Sequence, residues 1–252
     1  MSRHSQTDAP LPFELDALAG AHRYQAWVAK LVLSFLGERI LEVGAGIGSM
    51  SNHLPARKRL ILSEMEPALL ERLRHCEAAQ RGAVVHAFDI GTGAGLEAIV
   101  AEAPDTIVSF NVLEHIENDE AALGCLLSIL KQSTAPGPKR LVTFVPAHPF
   151  AFNAMDRRFG HHRRYDLHRI RFLASRVAPR AQLQTRFFNA LSLPGWWFQG
   201  NVLGRDRIGS ASVSAFEAVA PLLTPIDDFL HDRLHIPFGQ SLLFVLTLPG
   251  AT

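Results

Sequence analysis

A short apolar run that ends in closely spaced glycines constrains this chain more than any other feature. Residues 39–43 are mostly apolar, and the segment from residue 42 reads Glu-Val-Gly-Ala-Gly-Ile-Gly. A continuous apolar run of this length favours a buried parallel strand. Glycines directly after a strand let the backbone turn sharply and lie close against a ligand, where a Cβ would clash. A helix N-terminus after such a turn offers unpaired N–H groups, so the pattern predicts a ligand-binding turn between a strand and a helix.

The same alternation of apolar runs and helix-like segments continues along the chain. We predict helical segments over residues 14–36 and 117–131. We predict strands over residues 39–43, 59–63, 84–88, 106–110, 140–145, 183–188 and 241–248. Strands that alternate with helices indicate βαβ units and a parallel sheet covered on both faces. The predicted fold class is therefore α/β, doubly wound and Rossmann-like, with a seven-stranded, mostly parallel sheet.

Acidic residues stand at the ends of the first three predicted strands. Glu42 precedes the glycines, Glu64 ends the second strand and Asp89 ends the third. Doubly wound nucleoside-binding folds place a carboxylate on the ribose hydroxyls at the position of Glu64. The glycine spacing is G-x-G-x-G, whereas the dinucleotide fingerprint is G-x-G-x-x-G. A glutamate beside the turn would repel a pyrophosphate but suits a cation, so we expect a positively charged nucleoside cofactor.

These residues resemble the first motif of the class I S-adenosylmethionine-dependent methyltransferases. The segment from Asn111 to Ile116, Asn-Val-Leu-Glu-His-Ile, resembles the family's segment after the fourth strand. Residues 160–165, Gly-His-His-Arg-Arg-Tyr, resemble a G-H-x-R-R-Y segment of a bacterial small-molecule subgroup. The resemblance implies S-adenosylmethionine as cofactor and S-adenosylhomocysteine as product. The predicted cofactor-binding residues are Tyr24, Glu42, Gly44, Gly46, Glu64, Met65, Asp89, Ile90, Asn111 and His115.

Histidines after the fourth and fifth strands are the candidates for catalysis. Methyl transfer to an alcohol or phenol needs a base, and we predict that His115 and His161 are the catalytic residues. His115 adjoins the cofactor segment, and His161 lies in a loop that can face a substrate. The alternative for each is a surface or core histidine with no part in catalysis. We expect no metal, because the histidines lack a paired i, i+4 motif with carboxylates.

A basic segment supplies the candidates for substrate binding. Residues 157–171 contain six arginines and three histidines against one acid, Asp166. Guanidinium groups bind planar oxyanions bidentately, so Arg163 and Arg164 could clamp an anionic substrate or could instead tie the chain together structurally. The predicted substrate-binding residues are His148, His161, Arg163, Arg164, Tyr165 and Trp197.

We expect a single methyltransferase domain over residues 1–252, since this length suits one α/β domain with insertions. Within it we predict an N-terminal helical lid, a cofactor-binding core, a basic substrate-side segment and a helical cap insertion. These parts span residues 13–36, 37–150, 151–182 and 189–240. The last part is too long and too apolar for a simple loop, so it covers the site or forms an oligomer contact such as a homodimer.

Composition and charge limit the classes of partner and the cellular compartment that fit this chain. A net charge of +1 argues against nucleic acid as the main partner. Two cysteines, Cys76 and Cys125, without CxxC spacing fit a reducing cytoplasm and give no disulfide framework. Residues 1–12 lack the apolar core of a signal peptide, and the apolar runs are too short to insert stably in a bilayer. We therefore expect a cytoplasmic protein.

The sequence thus favours methyl transfer from S-adenosylmethionine to an oxygen, or less readily a nitrogen, of a small and perhaps anionic metabolite. Two other interpretations stay open. One is a non-catalytic cofactor-binding partner or regulator, with residues 189–240 as its interface. The other is a methyltransferase that modifies a lipid-linked glycan or a natural-product intermediate. A nicotinamide oxidoreductase is disfavoured, because the sixth-position glycine and a Tyr-x-x-x-Lys pair are missing.

Overall fold

The computed structural model describes residue 15, residues 19–207 and residues 209–250. Part of the expected N-terminal lid, at residues 13, 14 and 16–18, therefore lies outside the described residues, as does the segment 1–12. The extent of the domain over residues 1–252 stays a prediction.

A seven-stranded sheet forms the centre of the described chain. Its strands, β1 to β7, are Arg39–Val43, Arg59–Glu64, Val84–Ala87, Thr106–Phe110, Arg140–Pro146, Gln182–Phe188 and Ser241–Thr247. Their spatial order is β3-β2-β1-β4-β5-β7-β6. Strands β1 to β5 pair in parallel, and β7 runs antiparallel to both β5 and β6. The predicted fold class, with its mostly parallel seven-stranded sheet, is confirmed.

Helices cover both faces of this sheet. The helices α1 to α9 are His22–Val32, Pro67–Leu73, Glu77–Gln80, Leu96–Ala101, Asp119–Gln132, Ala154–Phe159, Leu167–Val177, Leu193–Trp197 and Ser210–Asp232. Side chains cap several of them, because Asn118 accepts from the third helical N–H of α5 and Asp166 does the same for α7. Asn153 and Asp156 form a reciprocal capping box at the start of α6.

Apolar side chains bury each face of the sheet separately. One core contains Leu123, Leu127 and Leu130 of α5, which recur at helical spacing and pack over β1, β4 and β5. The opposite core contains Trp27 of α1, whose ring centroid lies 4.0 Å from that of Phe188 on β6. The carboxyl ends of the parallel strands are left at one edge, between these two layers.

The segment between β6 and β7 folds as helices that lie beside α1. It contains α8, a π-helical turn over Phe198–Val202 and α9. The carboxylate of Glu217 on α9 accepts hydrogen bonds from the backbone N–H groups of Arg23 and Tyr24, at 2.9 and 3.0 Å. These contacts join α1 and α9 next to the carboxyl edge of the sheet. Across the part of the chain that the structure describes, no helix has the length and apolar character needed to cross a bilayer.

Candidate functional site

The turn after β1 has the backbone shape that its glycines predict, but it leads into a short 3-10 turn over Ser51–His53 and not into the expected helix. Gly44 and Gly46 adopt φ values of +66° and +59°, which disfavour residues with a side chain. A Cβ on Gly44 would lie 2.7 Å from a methyl group of Val112, and one on Gly46 would lie 3.2 Å from Leu15. The N–H of Gly46 donates to the carboxylate of Glu64 at 2.9 Å. The turn is therefore held against the end of β2.

Two carboxyl groups lie beneath this turn. Glu42 is buried, and its carboxyl accepts a hydrogen bond from the Ser51 hydroxyl at 2.5 Å. Burial raises the pKa of Glu42 to about 8, although the Ser51 bond opposes the shift and the nearby Glu64 adds to it. The second oxygen of Glu64 accepts from the backbone N–H groups of Met65 and Glu66. A buried acid that stays protonated near neutral pH is ready to ionise when a cation arrives.

The remaining residues predicted to bind cofactor lie along the same edge. Asp89 follows β3, where its hydrogen bonds from the Thr92 hydroxyl and the Gly91 N–H lower its pKa against the effect of partial burial. Ile90 is buried, whereas Met65 is exposed. Asn111 follows β4 with a φ of +52°. Because β3, β2, β1 and β4 are neighbours in the sheet, these residues come together at the carboxyl edge, where ligands of doubly wound folds bind.

A cavity of about 310 Å³ opens beside this edge. Its wall includes Asn111, which directly follows β4, Tyr24 from α1, and residues of the segment between β6 and β7. Aromatic side chains that line it include Tyr24, Phe159, Trp196 and Phe216. Its volume suits a small organic molecule.

His161 contributes an imidazole to the cavity wall, and two buried carboxyl groups lie beside this ring. His161 lines the cavity, and its Nδ1 lies 2.9 Å from a carboxylate oxygen of the fully buried Asp156. Its Nε2 lies 4.0 Å from an oxygen of the buried Glu114. The His115 ring centroid is 4.8 Å from that of His161. The two predicted catalytic histidines are therefore neighbours, with carboxyl groups on both sides of His161.

Sequence reasoning did not assign roles to Asp156 and Glu114. Asp156 shows only a capping-box spacing after Asn153, which is a helix signal. Glu114 reaches the site because the N–H of His162 donates to its carbonyl oxygen at 2.8 Å and so docks the two loops together. No local pattern contains that pairing.

Arg164 lines the cavity but is paired within the protein. Its Nε donates to Asp156 at 2.8 Å, and one terminal nitrogen donates to the carbonyl of Ala147 at 3.2 Å. Its guanidinium carbon lies 4.7 Å from the centroid of the Trp196 ring. Burial lowers the pKa of Arg164, and Asp156 opposes that shift.

Arg163 and Tyr165, both predicted to bind substrate, make their contacts within the protein. Arg163 donates to the carbonyl oxygens of Ile116 and Glu117 at 2.7 and 2.6 Å. Tyr165 is fully buried, and its hydroxyl donates to the carbonyl of Leu113 at 3.1 Å and lies 3.2 Å from Asp119. Neither is among the cavity-lining residues. Both hold the turn after β4 in place, which agrees with the structural alternative for Arg163.

Trp197 and His148, also predicted to bind substrate, are not among the residues that line the cavity. Trp197 is 41% exposed and is not among the cavity-lining residues, whereas its neighbour Trp196 is. His148 stacks on Phe187 with ring centroids 5.1 Å apart, also outside the cavity lining. Partial burial lowers the pKa of His148, and Arg164 adds to this effect. Of the two adjacent tryptophans, Trp196 is the one that lines the cavity.

The sheet is doubly wound, and its carboxyl edge carries a glycine turn, carboxyl groups and a cavity. These features define a class of ligand-binding α/β protein. Comparison with known families assigns the chain within that class. Residues 18–196 match the family described as "Methyltransferase domain", and this chain belongs to that family. No curated protein matches it in sequence.

Solved structures of methyltransferases share its fold. A SAM-dependent methyltransferase from Archaeoglobus fulgidus superposes with a TM-score of 0.55 at 16% identity, covering 93% of this chain and 97% of that one. The N-methyltransferase NodS from Bradyrhizobium japonicum WM9, in complex with S-adenosyl-l-homocysteine, gives 0.54 at 17% identity, with coverages of 97% and 95%. Magnesium protoporphyrin IX methyltransferase from Synechocystis PCC 6803, with bound SAH, gives 0.54 at 12%, with coverages of 96% and 90%. At these identities the likeness concerns the fold.

Proposed function

We propose that this methyltransferase transfers a methyl group from S-adenosylmethionine to a hydroxyl oxygen of a small molecule held in the cavity. The observation that carries the proposal is the position of His161. Its imidazole lines the cavity, is backed by the carboxylate of Asp156, and shares the cavity wall with Asn111 at the end of β4. Methyl transfer belongs to the family, and the oxygen acceptor is inferred from this imidazole.

The carboxyl edge of the sheet fits the cofactor by charge and by shape. Gly44 and Gly46 let the backbone approach a ligand, and Glu42 and Glu64 place carboxyl groups beside a group that carries sulfonium and ammonium charges. Glu64 is also the residue proposed to bind the ribose hydroxyls. Asp89 and Ile90 would lie at the base, with Met65 nearby. Tyr24, Asn111 and His115 would border the methionine end.

The protein's own contribution to the reaction is alignment and proton handling. S-adenosylmethionine, when bound, supplies an electrophilic methyl group on its sulfonium. The walls of the cavity hold the acceptor oxygen in line with it and keep water out. His161, oriented by Asp156, activates the acceptor hydroxyl together with His115. The proton of that hydroxyl passes to the imidazole of His161 as the methyl group is transferred.

The lining of the cavity favours an acceptor with a ring and little charge. Tyr24, Phe159, Trp196 and Phe216 offer aromatic surface. Arg164 already donates to Asp156 and Ala147, so an anionic acceptor would have to compete for it. We therefore propose a hydroxylated, mostly uncharged aromatic or polyketide-like compound in place of an anionic one.

An acceptor screen tests the proposal. The purified protein is incubated with S-adenosylmethionine and a panel of phenols, alcohols and amines, and S-adenosylhomocysteine is quantified. We expect turnover with hydroxyl compounds, with loss of most activity in His161→Ala and little change in His168→Ala, which alters an exposed histidine of the same basic segment. Turnover of amines alone would contradict the oxygen acceptor.

An apolar stripe on α9 supports the interpretation that residues 189–240 form a protein–protein interface, such as that of a homodimer. Val219, Leu222, Ile226 and Phe229 are all exposed and recur at helical spacing. Sedimentation velocity at several concentrations measures whether this surface forms the expected homodimer. A dimer that dissociates in Leu222→Glu but keeps binding S-adenosylmethionine would support this interface, and a monomer at all concentrations would contradict it.

A further inference from the structure

Three potential metal ligands converge behind the cavity wall. One side-chain atom each from Glu114, His115 and His161 lies within 4.8 Å of the other two. The measured separation between His161 Nε2 and Glu114 Oε1 is 4.0 Å. Ligands around a zinc ion at about 2.0–2.2 Å in tetrahedral geometry stand roughly 3.3–3.5 Å apart. Small side-chain rotations would therefore bring the three atoms onto one cation.

Asp156 orients His161 as an outer-shell carboxylate orients a metal ligand. It accepts at 2.9 Å from His161 Nδ1, and an ionised carboxylate only accepts. The neutral ring therefore carries its hydrogen on Nδ1 and presents the lone pair of Nε2 toward Glu114. Asp156 is itself held by the N–H of Asn153 and by Arg164. In metal sites a ligand imidazole commonly donates its other N–H group to a carboxylate, which fixes the orientation of the ring.

The formal charges of Glu114, His115, His161 and the neighbouring Asp156 and Arg164 favour the binding of a cation. Glu114 and Asp156 are both fully buried, and Arg164 is the guanidinium paired with Asp156. Two carboxylates and one guanidinium leave a formal charge of one negative unit if both imidazoles are neutral. A divalent cation between Glu114 and the two imidazoles would be attracted by this negative charge.

The donor set indicates the class of metal. Two imidazole nitrogens and one carboxylate oxygen suit first-row divalent transition metals, and such three-ligand sites leave positions open for water or substrate. Magnesium and calcium prefer oxygen ligands throughout. His161 lines the cavity, so a cation bound here would lie next to the acceptor space.

We propose that Glu114, His115 and His161 bind one divalent transition-metal ion that takes up the acceptor hydroxyl. This replaces our expectation, from sequence, of no metal site, because the three ligands come from two loops that only the fold brings together. The chemical part rests on the proposed methyl transfer to a hydroxyl oxygen, with His161 acting as a metal ligand in place of a base. A hydroxyl oxygen that binds the ion loses its proton to solvent more readily, the oxygen–methyl bond forms, and the methyl–sulfur bond breaks. The products are a methyl ether, S-adenosylhomocysteine and one proton, so no oxidant or reductant is needed.

Metal titration of the full chain, freed of any affinity tag and stripped with a chelator, tests the site. We expect calorimetry with Zn²⁺ to give one ion per chain, and Co²⁺ to give a visible absorption band that Zn²⁺ abolishes. Glu114→Gln and His161→Ala should each weaken binding at least tenfold, and Asp156→Asn should weaken it by about 10- to 100-fold. His162→Ala changes an exposed histidine next to the site and should leave the metal affinity unchanged.

Two results would overturn the site. One is the absence of Zn²⁺ and Co²⁺ binding in the unaltered chain, which would leave His161 to act as a base without a metal. The other is binding that persists in both Glu114→Gln and His161→Ala. His115→Ala serves as the second ligand variant if Glu114→Gln fails to fold, because His115 is only half-buried.

Calorimetry with S-adenosylmethionine on the metal-free chain separates this inference from the proposed function. Cofactor binding without metal binding would overturn the metal site alone. Metal binding without cofactor binding or methyl transfer would overturn the proposed function and leave the site standing.

Discussion

The guanidinium carbon of Arg164 lies 4.7 Å from the centroid of the Trp196 indole ring. This contact joins the basic segment after α6 to the helical segment between β6 and β7. The indole N–H of Trp196 also donates to the carbonyl of Ala151 at 3.3 Å. Trp196 is thus fixed from two sides while it lines the cavity, and it connects the acceptor space to the helices that cover it.

Replacing Trp196 should weaken acceptor binding. Trp196→Ala removes an aromatic wall of the cavity and the partner of Arg164, so we expect the KM for the acceptor to rise about tenfold, equivalent to about 1.4 kcal/mol. Affinity for S-adenosylmethionine, measured by calorimetry, should change little. Trp197→Ala is the matched control, because this neighbour is 41% exposed and lies outside the cavity lining. Equal effects of the two variants would contradict the placement of the acceptor.

The strands could be predicted closely because their signals are local. The predicted bounds of β1 and β4 agree with the observed Arg39–Val43 and Thr106–Phe110. Each strand is a continuous apolar run bounded by turn residues, as a buried parallel strand requires. The carboxyl edge followed from the same reasoning, since consecutive strand ends of a parallel sheet meet there.

The acceptor side could not be predicted in the same way. Trp196 and Trp197 are adjacent, and the choice between them depends on how α8 sits on the sheet. Asp156 and Glu114 meet at His161 through loop packing, which no periodic pattern encodes. Arg163 appeared free to bind an anion in sequence, but the fold gives its donors to the carbonyls of Ile116 and Glu117. Tertiary contacts thus decide which side chains of the basic segment face the cavity.

Glu42 should make the stability of the protein depend on pH. The pKa of Glu42 is about 8 in the folded chain, against an ordinary value of 4.5. Between these two pH values the folded state keeps a proton that the unfolded state has released. Its stabilising contribution is complete below about pH 4.5 and is lost as the pH rises through 8. Glu42→Gln mimics the protonated form and does not titrate. The Tm of Glu42→Gln relative to wild type should therefore increase from pH 5 to pH 9, and a constant difference would contradict the raised pKa.

The same residue should couple cofactor binding to proton release. A cation beside Glu42 favours its ionised form, so binding of S-adenosylmethionine should release a proton at pH 7. Calorimetry in buffers of different ionisation enthalpy counts that proton. Glu42→Gln should bind more weakly and release fewer protons, whereas a release equal to that of wild type would place the cofactor cation away from Glu42.

Gly46 should tolerate no side chain where the cofactor approaches the turn. Its φ of +59° and the nearby Leu15 make any Cβ unfavourable, and the ligand is proposed to occupy the adjacent space. Gly46→Val should reduce S-adenosylmethionine affinity by at least about tenfold, or 1.4 kcal/mol. Gly124→Ala is the control, because a Cβ on this α5 glycine meets nothing within 4 Å. If Gly46→Val folds and retains full affinity, the cofactor does not lie against this turn.

Isothermal titration of the purified protein with S-adenosylmethionine, S-adenosylhomocysteine and NAD tests the central claim most directly. The carboxyl groups and the G-x-G-x-G turn suit a cationic nucleoside and oppose a pyrophosphate. We expect micromolar binding of the two sulfur compounds and no heat from NAD. Binding of NAD alone, or no binding of any of the three, would contradict the assignment of this edge of the sheet to S-adenosylmethionine.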